Sequence, residues 1–306
     1  MAHSSGPVEA GLFPAQQRNV VSGNLFAVVA VFLWSAGIPA AEGLLAIMDP
    51  ISLITIRIGM ACCVMVPLWW IADGSAIFRA PWGWGLVMGG VTFGLGTFLF
   101  LLAQDLTDAI TVAIVATIAP LVAAFIESFF GRRRFTRTLG IGLVVALSGG
   151  VISIGGNLTF EFGFGALLVV IGSAFLILGS HLAVVALPNL SPIGRSTLPF
   201  VGAFVFLLIL WLIARPMGWT EMPDTMLGFD EWSMMAVYAI GAMALSQIFF
   251  VTSIGKIGVT MASIHMNVAP LYVMLIMLAL GAAWSWPQAI GGVVVVLGAI
   301  YVQSGD

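Results

Sequence analysis

Apolar stretches of about twenty residues follow one another along the chain from Leu25 almost to its C-terminus. A helix of that length crosses a hydrocarbon core of roughly 30 Å. The stretches do not alternate apolar and polar residues, which favours helices over the strands of a barrel. The pattern predicts an all-α membrane protein of ten transmembrane helices, at residues 25–47, 51–72, 82–104, 107–129, 139–154, 162–187, 193–214, 232–253, 258–282 and 287–302.

Composition and loop length narrow the class of protein further. Hydrophobic residues make up 61% of the chain and charged residues only 8%, whereas about a quarter of a soluble domain is charged. Residues 1–22 are predicted to be a short cytoplasmic tail, and most later connections are very short. Neighbouring helices must therefore be antiparallel, and the function must lie inside the bundle. The adjacent Cys62 and Cys63 have no metal-ligand spacing, so we expect neither a metal nor another cofactor.

The distribution of basic residues predicts the orientation in the membrane. With a cytoplasmic N-terminus, eight of the ten lysines and arginines fall on inner loops or inner helix ends. The positive-inside rule therefore places both termini in the cytoplasm, and we expect a bacterial inner membrane. The net charge of −3 suggests no nucleic-acid partner. The eight residues are Arg18, Arg79, Arg132, Arg133, Arg134, Arg137, Arg195 and Lys256.

One landmark occurs in both halves of the chain. Ala119-Pro120-Leu121 recurs as Ala269-Pro270-Leu271, with an isoleucine six residues before each proline and a glycine eleven residues after it. This shared spacing indicates a duplication, with repeats at residues 23–156 and 157–306. Since each repeat has an odd number of predicted helices, the second must be inverted. Inverted repeats meet near the membrane midplane and exchange conformations, which favours a transporter over an enzyme.

Further short motifs occur in order along almost the whole chain. They are Leu33-Trp34-Ser35, Pro50 followed seven residues later by Arg57, the two Ala-Pro-Leu segments, the paired Gly140 and Gly291 with Gln288, Gly149-Gly150, and Gly298. In these motifs the chain resembles the EamA-type branch of the ten-helix drug/metabolite transporter superfamily, and within it the bacterial exporters of amino acids and aromatic amino acids. The resemblance implies that helices 1, 3, 4, 6, 8 and 9 surround a central cavity.

Polar and aromatic residues on those helices are candidates for binding substrate. Trp34 could stack on a substrate's side chain or ammonium group, with simple packing as the alternative. Neutral amide, imidazole and hydroxyl groups could satisfy both ends of an amino acid without burying a permanent charge, with interhelical hydrogen bonding as the alternative. The candidates of this second kind are His181, Tyr238, Gln247, His265, Asn267 and Tyr272.

Prolines mark candidate hinges or cavity-lining positions. Pro39, Pro120 and Pro270 lie within predicted helices. A proline removes a backbone hydrogen bond, so Pro120 and Pro270 are predicted to free the carbonyls of Ala116 and Met266 for the cavity. A hinge and simple helix bending are the other interpretations.

Glu42 and Arg57 lie at similar distances from Asp49, on successive helices, and so at the same depth. Because an isolated charge there would be expensive, we expect an ion pair near the outer face, with a proton-titrating Glu42 as the alternative. The cavity would then hold no permanent charge. This favours zwitterionic or apolar metabolites over strongly anionic ones.

The sequence lacks the motifs of other functional classes. It has no Gly-x-Ser-x-Gly, no His-Glu-x-x-His and no intramembrane pair of carboxylates, so we do not expect an enzyme. A channel would require a ring of charges or carbonyls. The duplication favours a secondary transporter that works by alternating access, with lipid and substrate as its partners and a monomer as a sufficient unit. The resemblance implies that it exports neutral and aromatic amino acids. The alternative is efflux of lipophilic or cationic drugs by proton antiport.

Overall fold

The computed structural model describes residues 12–116, 119, 122, 123, 125, 126, 137–153, 160–220 and 226–304. Regular structure within these ranges is helical throughout, which confirms the predicted all-α class for this part of the chain. The helices are α1 (Leu12–Leu45), α2 (Pro50–Asp73), α3 (Trp82–Asp105), α4 (Ala109–Ala116), α5 (Arg137–Ser153), α6 (Phe160–Val185), α7 (Pro192–Ala214), α8 (Phe229–Ile257), α9 (Val259–Ala279) and α10 (Trp286–Ser304).

Seven of these helices are long and apolar enough to cross a membrane, namely α1, α2, α3, α6, α7, α8 and α9. The described apolar stretches of α4, α5 and α10 are shorter. The chain is therefore a multi-pass membrane protein, and its described ranges are helical. The count of ten spans and the inversion of the repeats stay predictions.

Two helices begin with the same local signal, a capping side chain followed by proline. The Asp49 carboxylate accepts a hydrogen bond from the Ser52 N–H at 2.9 Å, just before Pro50. The Ser191 hydroxyl accepts one from the Gly194 N–H at 3.1 Å, just before Pro192. The cap satisfies an otherwise unpaired N–H, and proline has no N–H to leave unpaired, so α2 and α7 start where these residues stand.

The first helix begins earlier than its apolar pattern indicates. It starts at Leu12, and its membrane-compatible part starts at Val20, whereas the predicted span starts at residue 25. Pro14 does not prevent this because it lies in the first turn, where a helix needs no N–H donor. Hydropathy reports the part of a helix that crosses lipid and not the whole helix.

The helices pack around one another in a regular order. α1 packs against α8 and α9, while α6 packs against α3 and α4. α2 packs against α7, α4 against α9, and α5 against α10. Each helix of α1–α5 can be exchanged with the helix five places later in the chain, so that α1 takes the place of α6 and α6 that of α1. This exchange gives the same pairs of neighbouring helices.

Glycines let α3 and α7 approach closely. A Cβ added to Gly89 of α3 would overlap the carbonyl of Pro199 on α7, and one added to Gly202 of α7 would overlap the carbonyl of Leu86. Small residues at helix crossings are the usual way to gain van der Waals contact in lipid, where the hydrophobic effect does not drive helices together. The contact between α3 and α7 therefore depends on these glycines.

We expect Gly89→Ala to destabilise the protein, because the added methyl group must push α3 away from α7. Overpacking of this kind costs about 1–3 kcal/mol. The matched control is Gly83→Ala on the same helix, where an added Cβ meets nothing within 4 Å. Thermal unfolding of the purified protein in detergent should show a lower midpoint for Gly89→Ala and an unchanged or slightly higher one for Gly83→Ala. Equal midpoints would contradict this account of the α3–α7 contact.

Candidate functional site

A cavity lies at the centre of the bundle and leaves about 970 Å³ of empty space, including the part open to the surroundings. The six helices expected from the resemblance all line it, with one residue each from α2 and α7. The lining residues are Ala30, Val31, Trp34, Gly37 and Ile38 of α1; Arg57 of α2; Phe93, Thr97, Phe100 and Gln104 of α3; Ala116 of α4, with Ala119 beyond it; Ser173, Leu176, Ile177 and Ser180 of α6; Phe200 of α7; Tyr238, Ala242, Met243, Ser246, Gln247 and Phe250 of α8; and Ser263 and Met266 of α9.

Aromatic rings form much of the cavity wall. Trp34 packs edge-on against Phe100 with ring centroids 5.6 Å apart, and Phe93 packs against Phe200 at 4.9 Å. The Trp34 indole nitrogen has no hydrogen-bond partner among the described residues. This wall offers an apolar ring surface together with one free donor, which suits a flat or branched apolar group.

Neutral polar groups in the wall join neighbouring helices. The Gln247 amide nitrogen donates to the Ser180 hydroxyl at 3.2 Å, which links α8 to α6. The Ser246 hydroxyl donates to the carbonyl of Ala30 at 2.9 Å, which links α8 to α1. Polar groups in lipid are stabilised by such bonds, and Gln247 keeps its amide oxygen for another donor.

Gln104 provides a further link of the same kind. Its amide nitrogen donates to the carbonyl of Ile38 at 2.7 Å, which holds α3 against α1 at one end of the cavity. Phe93, Thr97, Phe100 and Gln104 are spaced by four, three and four residues along α3. This spacing puts all four on one helix face, so the sequence did contain a signal for the contribution of α3.

Arg57 brings a permanent positive charge to the cavity wall. Its side chain is only 7% exposed, and its Nε donates to the backbone carbonyl of Tyr238 at 3.2 Å. The guanidinium carbon lies 3.7 Å from the centroid of the Tyr238 ring, so the contact is also a cation–π interaction. The expectation that the cavity holds no permanent charge is corrected by this placement.

Glu42 has a different partner from the one expected. Its carboxylate accepts a hydrogen bond from the Ala109 N–H at 3.1 Å, and the neighbouring Asp108 caps the same helix start by accepting from the Thr111 N–H at 2.9 Å. The N-terminus of α4 attracts negative charge and offers unpaired N–H groups. Glu42 thus faces α4 and Arg57 faces α8, and the structure gives them separate partners instead of the expected ion pair.

Trp34, Tyr238 and Gln247 are the predicted binding residues that line the cavity; the other four do not line it. His181 is buried beside Ser180, and His265 is half-buried with its Nδ1 3.3 Å from the carbonyl of Met261. A one-residue step turns a helix by about 100°, which separates each histidine from the lining residue next to it.

Tyr272 is half-buried and packs beside a residue on the outer surface of the bundle. Its ring packs edge-on against Phe32 with centroids 5.4 Å apart, and the Phe32 side chain is 49% exposed. Six residues separate Tyr272 from the lining residue Met266, which is roughly one and two-thirds turns of helix. Tyr272 therefore faces away from the cavity although it lies on a helix that lines it.

Contrary to the prediction from the sequence, the backbone before Pro270 does not leave the Met266 carbonyl free. Residues His265–Val268 form a 3₁₀ turn, and the Ala269 N–H donates to the carbonyl of Met266. The tighter turn supplies a donor one residue before the proline, so the Met266 carbonyl is satisfied within its own helix. Pro39 is buried inside α1, and Pro120 lies outside the described residues.

Two polar atoms near this break are buried without a hydrogen-bond partner among the described residues, the Ser263 hydroxyl and the Asn267 amide oxygen. Ser263 lines the cavity, and Asn267 lies within the 3₁₀ turn. An unsatisfied buried polar atom costs free energy that the fold must recover elsewhere. The break in α9 is thus a locally destabilised segment beside the cavity.

We expect Asn267→Leu to stabilise the protein, because leucine has a similar size and leaves no polar atom unsatisfied. The gain should be about 1 kcal/mol or more in the free energy of unfolding. The control is Asn24→Leu, since Asn24 donates to the carbonyl of Val20 at 2.9 Å and its replacement removes a bond. A higher thermal midpoint for Asn267→Leu alone is the expected result. A loss of stability would mean that Asn267 has a hydrogen-bond partner.

Comparisons with known proteins find similarity to transporters. Residues 21–155 match the model of the EamA-like transporter family. The protein named uncharacterized transporter YyaM, from Bacillus subtilis (strain 168), is 23% identical over 253 residues, which is 80% of this chain and 81% of that protein. A protein of known crystal structure has the same fold, with a TM-score of 0.71 at 18% identity over 93% of this chain and 98% of that one. The resemblance to the EamA-type drug/metabolite transporters is confirmed.

Proposed function

We propose that this chain, whose residues 21–155 match the model of the EamA-like transporter family, is a secondary transporter that exports neutral and aromatic amino acids by alternating access around the central cavity. The observation that carries the proposal is the cavity itself. It is built from both halves of the chain, and its wall combines aromatic rings with neutral amides and hydroxyls.

The cavity chemistry suits a small metabolite with one apolar end and one polar end. Ligand pockets are mostly apolar with a few placed polar groups. Here Trp34 and Phe100 offer ring faces, while Gln247 offers an amide oxygen. An aromatic or branched side chain can pack on the rings, and the backbone end of an amino acid can bond to the polar groups.

The arrangement of helices supports two inverted repeats at residues 23–156 and 157–306. The main pairs of neighbouring helices are unchanged when the two halves are exchanged. The third helix of each half also carries a π-helical segment, Gly90–Gly94 in α3 and Val237–Leu245 in α8, and both segments contribute residues to the cavity. Halves related in this way can exchange conformations around a fixed central site.

The irregular segments supply places where the helices can change shape. A π-helical or 3₁₀ turn holds its backbone hydrogen bonds less firmly than an α-helix, so it can rearrange at lower cost. The two π segments and the 3₁₀ turn before Pro270 all border the cavity. We place the hinges of alternating access at these segments, with the termini in the cytoplasm of a bacterium and the chain in its inner membrane.

The geometry favours amino acids over cationic drugs. Export of a cation by proton antiport requires a carboxylate that can meet both the cation and the proton. The described cavity lining contains neither aspartate nor glutamate, and Glu42 is bound at the start of α4. The drug-efflux alternative therefore lacks its essential group in the described part of the wall.

We expect purified protein in liposomes to release preloaded, radiolabelled phenylalanine, leucine or tryptophan faster than empty liposomes do. Trp34→Ala should slow this release about tenfold or more, because it removes the main ring surface and a donor from the wall. The matched control is Trp219→Ala, since Trp219 is 66% exposed and lies outside the cavity lining.

The same assay with a panel of all common amino acids and with a lipophilic cation decides between the two transport hypotheses. Release of the cation with no release of any amino acid would refute the proposal of amino-acid export. Equal loss of activity in Trp34→Ala and Trp219→Ala would show that Trp34 acts through folding and not through the cavity.

A further inference from the structure

We propose that Arg57 binds the carboxylate of the transported molecule, and that the cavity requires this carboxylate but not an amino group. The substrate class is then apolar monocarboxylates, aromatic or branched, with or without an α-amino group. This inference rests on the proposed function in one respect, since it assigns the substrate's anionic group to the same central cavity.

The first step of the argument is the position of the charge. Arg57 belongs to the cavity lining, and its side chain is almost fully buried. A guanidinium group keeps its proton in proteins, so burial cannot remove this charge as it can for lysine or histidine. The cavity lining therefore always carries the positive charge of Arg57.

The second step concerns the groups around that charge. The described contacts of Arg57 are with Tyr238, whose carbonyl and ring are both neutral. The described lining contains neither aspartate nor glutamate, and Glu42 bonds to Ala109 instead. A buried charge is stable only with a partner or solvent, so the site favours an anion that enters the cavity.

The third step identifies the anion as a carboxylate on an apolar molecule. The planar fork of a guanidinium matches the two oxygens of a carboxylate and can bind both. The rest of the wall offers the rings of Trp34 and Phe100 and no second positive charge among its described residues, which does not suit a multiply charged anion. One carboxylate on an apolar body fits both features.

The fourth step concerns the ammonium group of an amino acid. The described wall offers it only neutral partners, such as the Gln247 amide oxygen and the aromatic faces. These groups tolerate an ammonium but do not compensate its charge. The carboxylate should therefore dominate recognition, and the amino group should be dispensable.

The rival interpretation is that Arg57 only fastens α2 to α8 through the Tyr238 carbonyl. A purely structural role predicts that losing Arg57 weakens all ligands alike or unfolds the protein. A carboxylate-binding role predicts a change in discrimination between ligands of the same shape. The two are separated by comparing ligands that differ only in charge.

The experiment measures binding of four matched probes to the purified full-length protein by titration calorimetry. The probes are L-phenylalanine, 3-phenylpropanoate, phenethylamine and 3-phenylpropanamide, which carry both charges, the carboxylate alone, the ammonium alone and no charge. We expect the two carboxylates to bind with similar affinity, and the amine and the amide about tenfold or more weakly.

Arg57→Gln should weaken binding of both carboxylates about tenfold or more and leave the amide unchanged. Arg57→Lys should keep part of the preference, since it retains the charge but not the planar fork. The matched control is Arg215→Gln, because Arg215 also lies over an aromatic ring, 4.9 Å from the centroid of Trp211, but is exposed and outside the cavity lining. Its ligand preference should equal that of the wild type.

Several results would overturn the inference. They are equal or tighter binding of phenethylamine than of 3-phenylpropanoate, an unchanged carboxylate preference in folded Arg57→Gln, or no binding by any probe. If Arg57→Gln does not fold, the wild-type probe series still decides, because a structural arginine gives no preference for the carboxylate.

Flux of the same probes in liposomes separates this inference from the proposed function. Binding and release of 3-phenylpropanoate without release of any amino acid would support the carboxylate site and refute amino-acid export. Release of phenylalanine that Arg57→Gln leaves unchanged would support export and refute the carboxylate site.

Discussion

A backbone that crosses lipid must satisfy its own hydrogen bonds, and this constraint determines where the molecule can depart from regular helix. The π segment of α3, the π segment of α8 and the 3₁₀ turn of α9 all border the central cavity. The cavity thus occupies the region where the helices are least regular. The backbone around a site in this region can rearrange, because the hydrogen bonds of π-helical and 3₁₀ turns are weaker than those of an α-helix.

Close packing elsewhere makes the cavity possible. Gly172 brings α6 onto α3, where an added Cβ would lie 2.9 Å from the carbonyl oxygen of Gly96, and Gly89 brings α3 onto α7, so small residues draw these pairs together. Large side chains such as Trp34 and Phe100 form the cavity wall. The alternation of small and large residues along the same helices therefore separates the fixed contacts from the open centre. The proposed transport requires both, since helix pairs must move as units around a substrate.

The sequence predicted where helices begin and how deep residues lie in the membrane, but it predicted poorly which way the side chains point around each helix. The starts of α2 and α7 follow from a capping residue before proline, and the spans follow from apolar length. Depth in the membrane also follows from distance along the helix. The direction of a side chain around the helix depends on which neighbour packs there, and that neighbour is set by the whole bundle. This is why Arg57 was expected to meet Glu42 and instead contacts Tyr238.

A fixed positive charge in the cavity has a consequence for the transport cycle. An empty cavity with Arg57 in its wall carries net charge, and a charge is least stable where water is excluded. The state in which both sides are closed is therefore unfavourable when the site is empty. A carboxylate bound at the proposed site would neutralise the guanidinium and would lower the free energy of that closed state more than that of the open states. The same ion pair that selects the substrate would thus also couple its binding to the conformational change, because a ligand shifts an equilibrium only through its differential affinity for the two states.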